Sequence, residues 1–232
     1  MSPLLGEINV TSRIAYVGLV VAVMLSLALT ARSEIKVTVE HKSGAAATAD
    51  FKFKNIPPPA KDDAAAKAKL ALVLGVKDGN SADLGALTDG ILPSSEDEPA
   101  ANFFFNAGTL GGRFRIDLGS AIEIAQVDTY SWHPNTRGPQ VYILYASDGT
   151  GPEFNAEPGV ATDPLTCGWK VIAIVDTRPN QGAGGGQYGV SITDSSGVLG
   201  KYRYLLFDCD ATEYDDPFGN TFYCEVDVVA KK

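Results

Sequence analysis

From residue 113 onward the chain is a row of short runs that alternate apolar and polar side chains, broken at close intervals by Gly, Pro, Asp and Ser. The runs are RFRIDL (113–118), IEIAQVDTYSW (122–132), VYILYAS (141–147), WKVIAIVDT (169–177), QYGVSIT (187–193), YRYLLFD (202–208) and TFYCEVDVV (221–229). A period of two, carried by β-branched and aromatic residues, is the pattern of half-buried strands. Leu118-Gly119-Ser120, Asp148 to Pro152, Pro179 to Gly186 and Asp194 to Gly200 read as the turns between them. Upstream, IKVTVEH (35–41) and ADFKFKNI (49–56) alternate in the same way, and KLALVLGV (69–76) reads as a buried strand. Pro57-Pro58-Pro59 interrupts the chain, and residues 60–68 read as a linker or the start of a short helix. No repeat and no long amphipathic helix is visible. Many short strands joined by polar turns predict an all-β sandwich or barrel. A chain of 232 residues is long enough to bury such a core without disulfides.

The N-terminus reads differently. Ile14–Ala31 is an uncharged, largely apolar run flanked by Arg13 and Arg32. Two readings stand: a signal peptide with a small-residue exit near Thr30 to Ser33, or an uncleaved membrane anchor. Both place the remainder outside the cytoplasm, as a secreted, periplasmic or cell-surface protein. The Asn9-Val10-Thr11 sequon precedes this run. There are three cysteines, and two readings of them also stand. A disulfide joins Cys209 to Cys224 if their strands pair, leaving Cys167 over, or all three are buried thiols. No Cys-x-x-Cys or Cys/His metal spacing occurs.

The net charge of −9 comes with scattered Lys and Arg rather than a basic stripe, which argues against nucleic acid as a partner. Residues 184–189 fit GxGxxG by letter, but a strand-like run follows them instead of a helix, so they read as a hairpin loop. There are two histidines, no GxSxG and no Ser/His/Asp order. The expectation is a protein that binds rather than catalyses.

Several runs, taken in order, resemble the discoidin-like (coagulation factor 5/8 type C) family of galactose-binding-like jelly rolls. Leu87-Thr88-Asp89-Gly90 resembles its early Asp-Gly loop. Arg115-Ile116-Asp117-Leu118-Gly119-Ser120 resembles the end of a family strand, and 124–130 the strand that follows. Residues 141–149 resemble its Ser-x-Asp-Gly strand and turn, Trp169-Lys170-Val171-Ile172 its Trp strand, and 202–207 and 224–228 its last two strands. The likeness spans roughly residues 69 to 230. It departs at Phe103-Phe104-Phe105, where the family usually carries Trp, and the segments 152–168 and 34–66 lie outside the pattern.

The resemblance implies a jelly-roll β-sandwich over 67–232, preceded by an N-terminal extension at 34–66 and the leader or anchor at 1–33. It implies one structural calcium, with carboxylates from Asp89 and Glu225 and backbone carbonyls near Leu87 and Leu92. The acidic stretch 208–219 is not an EF-hand, because Glu213 and Gly219 occupy the positions that need Gly and Glu. The resemblance also implies ligand contacts in the loop after Trp132. Trp132 is expected to stack on a pyranose, and His133, Asn135 and Arg137 to hydrogen-bond its hydroxyls, with Tyr214 or Phe218 on the opposite wall. The expected partner is a glycan or cell-surface polysaccharide. The alternative is a structural or adhesive envelope protein that engages other surface proteins or assembles with itself. Membrane contact is expected only through an uncleaved N-terminal run.

Overall fold

The computed structural model describes residues 33–214 and 218–232. The apolar run 14–31 and the sequon lie outside these residues. Among the described residues eight strands form: β1 Ile35–Lys42, β2 Lys69–Leu74, β3 Gly112–His133, β4 Val141–Ser147, β5 Lys170–Asp176, β6 Gly186–Asp194, β7 Gly200–Cys209 and β8 Tyr223–Ala230. Every pairing is antiparallel.

β3 runs for 22 residues and belongs to two sheets. Its first part pairs β2 on one side and β7 on the other, with β4 and β5 continuing beyond β7. Its last part, from Ile124, pairs β6 and β8, with β1 beyond β6. The two sheets face each other across one core. Phe114, Ile116, Leu144, Val175, Leu205 and Phe207 come from the larger sheet, and Val127, Val190, Ile192, Val226 and Val228 from the smaller. This is the all-β sandwich that the alternating runs predict, in the jelly-roll form that the resemblance implies.

The sequence reading splits β3 into two strands at Leu118-Gly119-Ser120. The chain bends there without leaving the sheet. The register against β7 shifts between Asp117 and Ile122, and Gly119 takes a φ of 81°. Asp117 accepts from the Gly119 amide at 2.9 Å and from Arg203 at 2.7 and 2.9 Å, so a bulge absorbs the turn residues.

Residues 34–66 are more closely bound to the sandwich than an extension implies. β1 pairs β6, and the chain then crosses the outer face of the β6–β3–β8 sheet. Gln187 donates to the Thr48 carbonyl, Tyr130 to the Pro57 carbonyl, and the Ala60 amide to Asp227. Phe51 sits edge-on to Tyr130 and Trp132, forming a second apolar cluster with Ile56 and Cys224. Gly189 makes this possible, because a Cβ there would stand 2.7 Å from the Phe53 ring.

Two expectations are corrected. Residues 49–56 form no strand: the alternation of Phe51 and Phe53 serves a strap lying on a sheet, not a ladder. The run 69–76 is an edge strand, hydrogen-bonded to β3 alone and with Leu72 exposed, not a buried one. Of the two readings of the cysteines, the buried thiols hold: all three are free and buried. β7 and β8 do not pair with each other; Cys209 faces the main core and Cys224 the second cluster.

Phe114 stacks on Phe207 at 4.7 Å and meets Phe103 and Tyr223 edge-on, fully buried. Phe114→Ala is expected to cost about 3–5 kcal/mol in chemical denaturation. A loss below about 1 kcal/mol would show that the two sheets do not meet through this ring.

Candidate functional site

At one end of the sandwich the loops 77–106 and 134–140 and residues 218–222 converge on an open cleft of about 370 Å³. Arg137 forms its wall. The side chain is 9% exposed, and its Nε donates to the Phe218 carbonyl at 2.7 Å. The guanidinium lies 5.1, 5.1 and 4.8 Å from the ring centres of Phe104, Phe218 and Phe222. Phe104 and Phe222 stack on each other at 4.0 Å. A planar cation among three aromatic rings is held in orientation by the rings' negative faces and by packing.

The loop that carries Arg137 is pinned along its length. Ser131 and Thr221 donate to the carbonyls of Gly138 and Pro139, the Phe222 amide to that of Arg137, and Thr212 to that of Thr136. The glycine-rich stretch 184–186 packs behind it: a Cβ on Gly185 would stand 1.7 Å from the Pro134 carbonyl oxygen. Those glycines allow two loops to touch, which agrees with the hairpin-loop reading.

His133 faces the cleft and meets the Phe222 ring at 4.7 Å. Its Nδ1 accepts from the Asn135 amide at 3.1 Å, so the neutral ring carries its proton on Nε2, which faces Asp97 at 4.0 Å. Burial pushes the His133 pKa down to about 4. The ring is therefore neutral at pH 7 and offers one Nε2–H donor. Asp78, Asn80, Asp97 and Asn135 add further polar groups to the lining. Asp78 is largely buried and accepts from the Asn80 amide at 2.9 Å.

Among the residues singled out for ligand contact, His133, Asn135, Arg137 and Phe218 line this cleft together. Trp132 does not. It points to the opposite face of β3, is 6% exposed, and packs against Phe51. Alternation along the strand explains this, since adjacent residues must point to opposite faces. Tyr214 is exposed but stands off the cleft, donating to Asp210 at 2.7 Å. The sequence reading missed Phe104 and Phe222. The signal for Phe104 lay in the Phe triplet: Phe103 and Phe105 enter the main core, so the residue between them must face outward.

The residues expected to hold calcium lie on the smaller sheet's outer face and the loop beside it. Glu225 is fully buried on β8, and its Oε2 accepts from the Gly90 amide at 2.9 Å. Its Oε1 has no partner. Burial, with Asp227 and Asp89 nearby, pushes its carboxyl up to about 9. Leu87 ends a 3-10 turn, Leu84–Leu87, that packs on β8, and Leu92 packs on the second apolar cluster. Among the described residues no three His, Cys, Asp or Glu side chains gather as metal ligands, so a cation here would rely on carbonyl oxygens. An orphaned buried carboxylate oxygen beside a second carboxylate and an irregular loop fits the hard, oxygen-only preference of calcium.

No protein-family model matches the sequence, and no curated protein does. Among solved structures the chain is similar to the lectin domain of lectinolysin complexed with Lewis B antigen, at 12% identity and a TM-score of 0.45, over 74% of this chain and 98% of that one. It is similar to a fucose-binding module of Streptococcus pneumoniae at 13% identity and a TM-score of 0.44, over 78% and 100%. It is also similar to CpGH89CBM32-6 produced by Clostridium perfringens at 15% identity and a TM-score of 0.40, over 73% and 100%.

His133 is expected to titrate near pH 4 when followed by NMR. The unfolded ring titrates near 6.5, so between about pH 6.5 and 4 the unfolded chain binds the extra proton and stability falls as pH falls. A folded-state midpoint near 6.5 would show a solvated ring.

Proposed function

We propose that this chain is an exported, non-catalytic carbohydrate-binding protein that takes a neutral sugar of a glycan or cell-surface polysaccharide in the apical cleft. The observation that carries this reading is the Arg137 guanidinium fixed among Phe104, Phe218 and Phe222, next to a neutral His133. Sugars ask for this mixture: an apolar surface for the C–H face of the ring, and directional polar groups for its hydroxyls. Phe218, 54% exposed, supplies the apolar surface in place of Trp132. His133 Nε2–H donates, Asn135 donates and accepts, and Asp97 accepts. The ligand is neutral because Asp78 and Asp97 share the cleft with Arg137 and the chain as a whole is acidic. His133 sits too far from neutral in its titration to serve as an acid–base catalyst at pH 7, which supports binding over turnover.

In this reading calcium is structural. Asp89 and Glu225, with carbonyls of Leu87 and Leu92, would hold it. Bound there, it would supply positive charge beside the buried Glu225 carboxylate, whose Oε2 already accepts from the Gly90 amide of the 87–92 loop.

Two experiments test the reading. On a glycan array, Phe218→Ala and Arg137→Lys are each expected to weaken binding roughly tenfold, the second because Lys keeps the charge and loses the planar fork. A folded parent protein that binds no glycan would overturn the assignment. Separately, millimolar calcium is expected to raise the melting temperature, with reversal by chelator and no shift in Glu225→Gln. Equal shifts in parent and variant would remove calcium from this site.

A further inference from the structure

We propose that two copies of this chain pair edge to edge through β1, forming an antiparallel two-fold dimer centred on Thr38. Among the described residues β1 hydrogen-bonds to β6 alone; β5 comes near it without forming a ladder, so the backbone groups on its other edge pair with no described strand. The Ser195 amide donates to the Glu34 carbonyl, which turns the backbone groups of Glu34 toward β6. By alternation, those of Ile35, Val37, Val39 and His41 point to the open edge.

The side chains favour a second copy over any other occupant. Ile35, Val37 and Val39 lie on the core-facing side, since Val37 and Val39 pair with the core residues Ile192 and Val190. Yet they are 37, 37 and 44% exposed. An apolar row on an open edge is what soluble proteins normally avoid. Lys36, Thr38, Glu40 and Lys42 project from the other face.

The sequence Glu34-Ile-Lys-Val-Thr-Val-Glu-His-Lys42 is complementary in charge to its own reverse. Pairing centred on Thr38 sets Lys36 against Glu40 of the second copy and Glu34 against its Lys42, twice each by symmetry. It sets Val37 against Val39 on the apolar face. The neighbouring registers that keep the edge groups facing each other fail. Centring on Val37 opposes Glu34 to Glu40, and centring on Val39 opposes Lys36 to Lys42, placing like charges directly across the strands. One register satisfies both faces. The Glu40 carboxylate accepts from the Lys54 and Asn55 amides of its own chain at 2.7 and 2.6 Å, which holds it on the face opposite Val37 and Val39.

The test uses the full chain. Sedimentation velocity over a concentration series is expected to show a dimer, with Lys36→Glu weakening it on the order of tenfold or more by opposing Glu40 twice. Because that variant also alters the fold's own surface, a second measurement reads geometry directly. Thr38 meets its own copy at the two-fold, at a non-hydrogen-bonded pair where the strands stand closest. Thr38→Cys is therefore expected to form an interchain disulfide under mild oxidation, and Lys36→Cys is not, the native cysteines being buried. A chain that sediments as a monomer throughout, or equal cross-linking at the two positions, would overturn the proposal.

Discussion

The fold depends on one strand being shared. β3 hydrogen-bonds to β2 and β7 through its first part and to β6 and β8 through its last, so the two sheets are a single network bent at one place. The bend is held by charge. Asp117 takes a fork from Arg203 and the amide of Gly119, and this contact fixes where the register slips. Everything beyond it, including the direction in which β3 delivers His133 to the apical loops, follows from that slip.

At the end of β3 the surroundings change from packed core to open cleft within one residue. Trp132 closes the second apolar cluster, and His133 faces the cleft. The strand's alternation thus links the strap to the site: Phe51 fixes Trp132, and Trp132 fixes the residue after it. Arg137 is held by a different device, a box of aromatic rings contributed by two other loops. A cation restrained in this way loses little side-chain freedom when it meets a ligand, which matters most in a shallow site where few contacts form.

Much of the sandwich was legible because alternation is local. The seven runs from 113 onward all became strand, and the single error of division, at Leu118-Gly119-Ser120, arose because turn residues and bulge residues are the same residues. Phe51 and Phe53 misled for a related reason, since a strap whose side chains dock onto a sheet shows the period of a strand. The cleft was half legible. His133, Asn135, Arg137 and Phe218 stand close to turn signals, where exposed polar and aromatic residues draw attention. Phe104 and Phe222 sit inside apolar runs, and only the pairing of Phe103 with Tyr223 shows which of their neighbours the core claims. Alternation alone sets Trp132 opposite His133, but that its face is covered follows only from a segment eighty residues earlier, where Phe51 packs on it.

The edge strand and the cleft bear on each other through geometry. β1 ends at Lys42 beside the cleft loops: His41 Nε2 lies 3.1 Å from the Gly185 carbonyl oxygen, and Gly185 packs on Pro134. In an antiparallel pair centred on Thr38, the two Lys42 ends point in opposite directions, so the two clefts open at opposite ends of the dimer. Such a dimer does not gain affinity by gripping one glycan surface twice, because its sites cannot face that surface together. Under the proposed function it would bridge instead, with one sugar held at each end. Sugar binding and a structural role in an envelope, which the sequence presents as competing readings, would then be one: shallow sites set at opposite ends of a sheet that continued through both copies would make a cross-link.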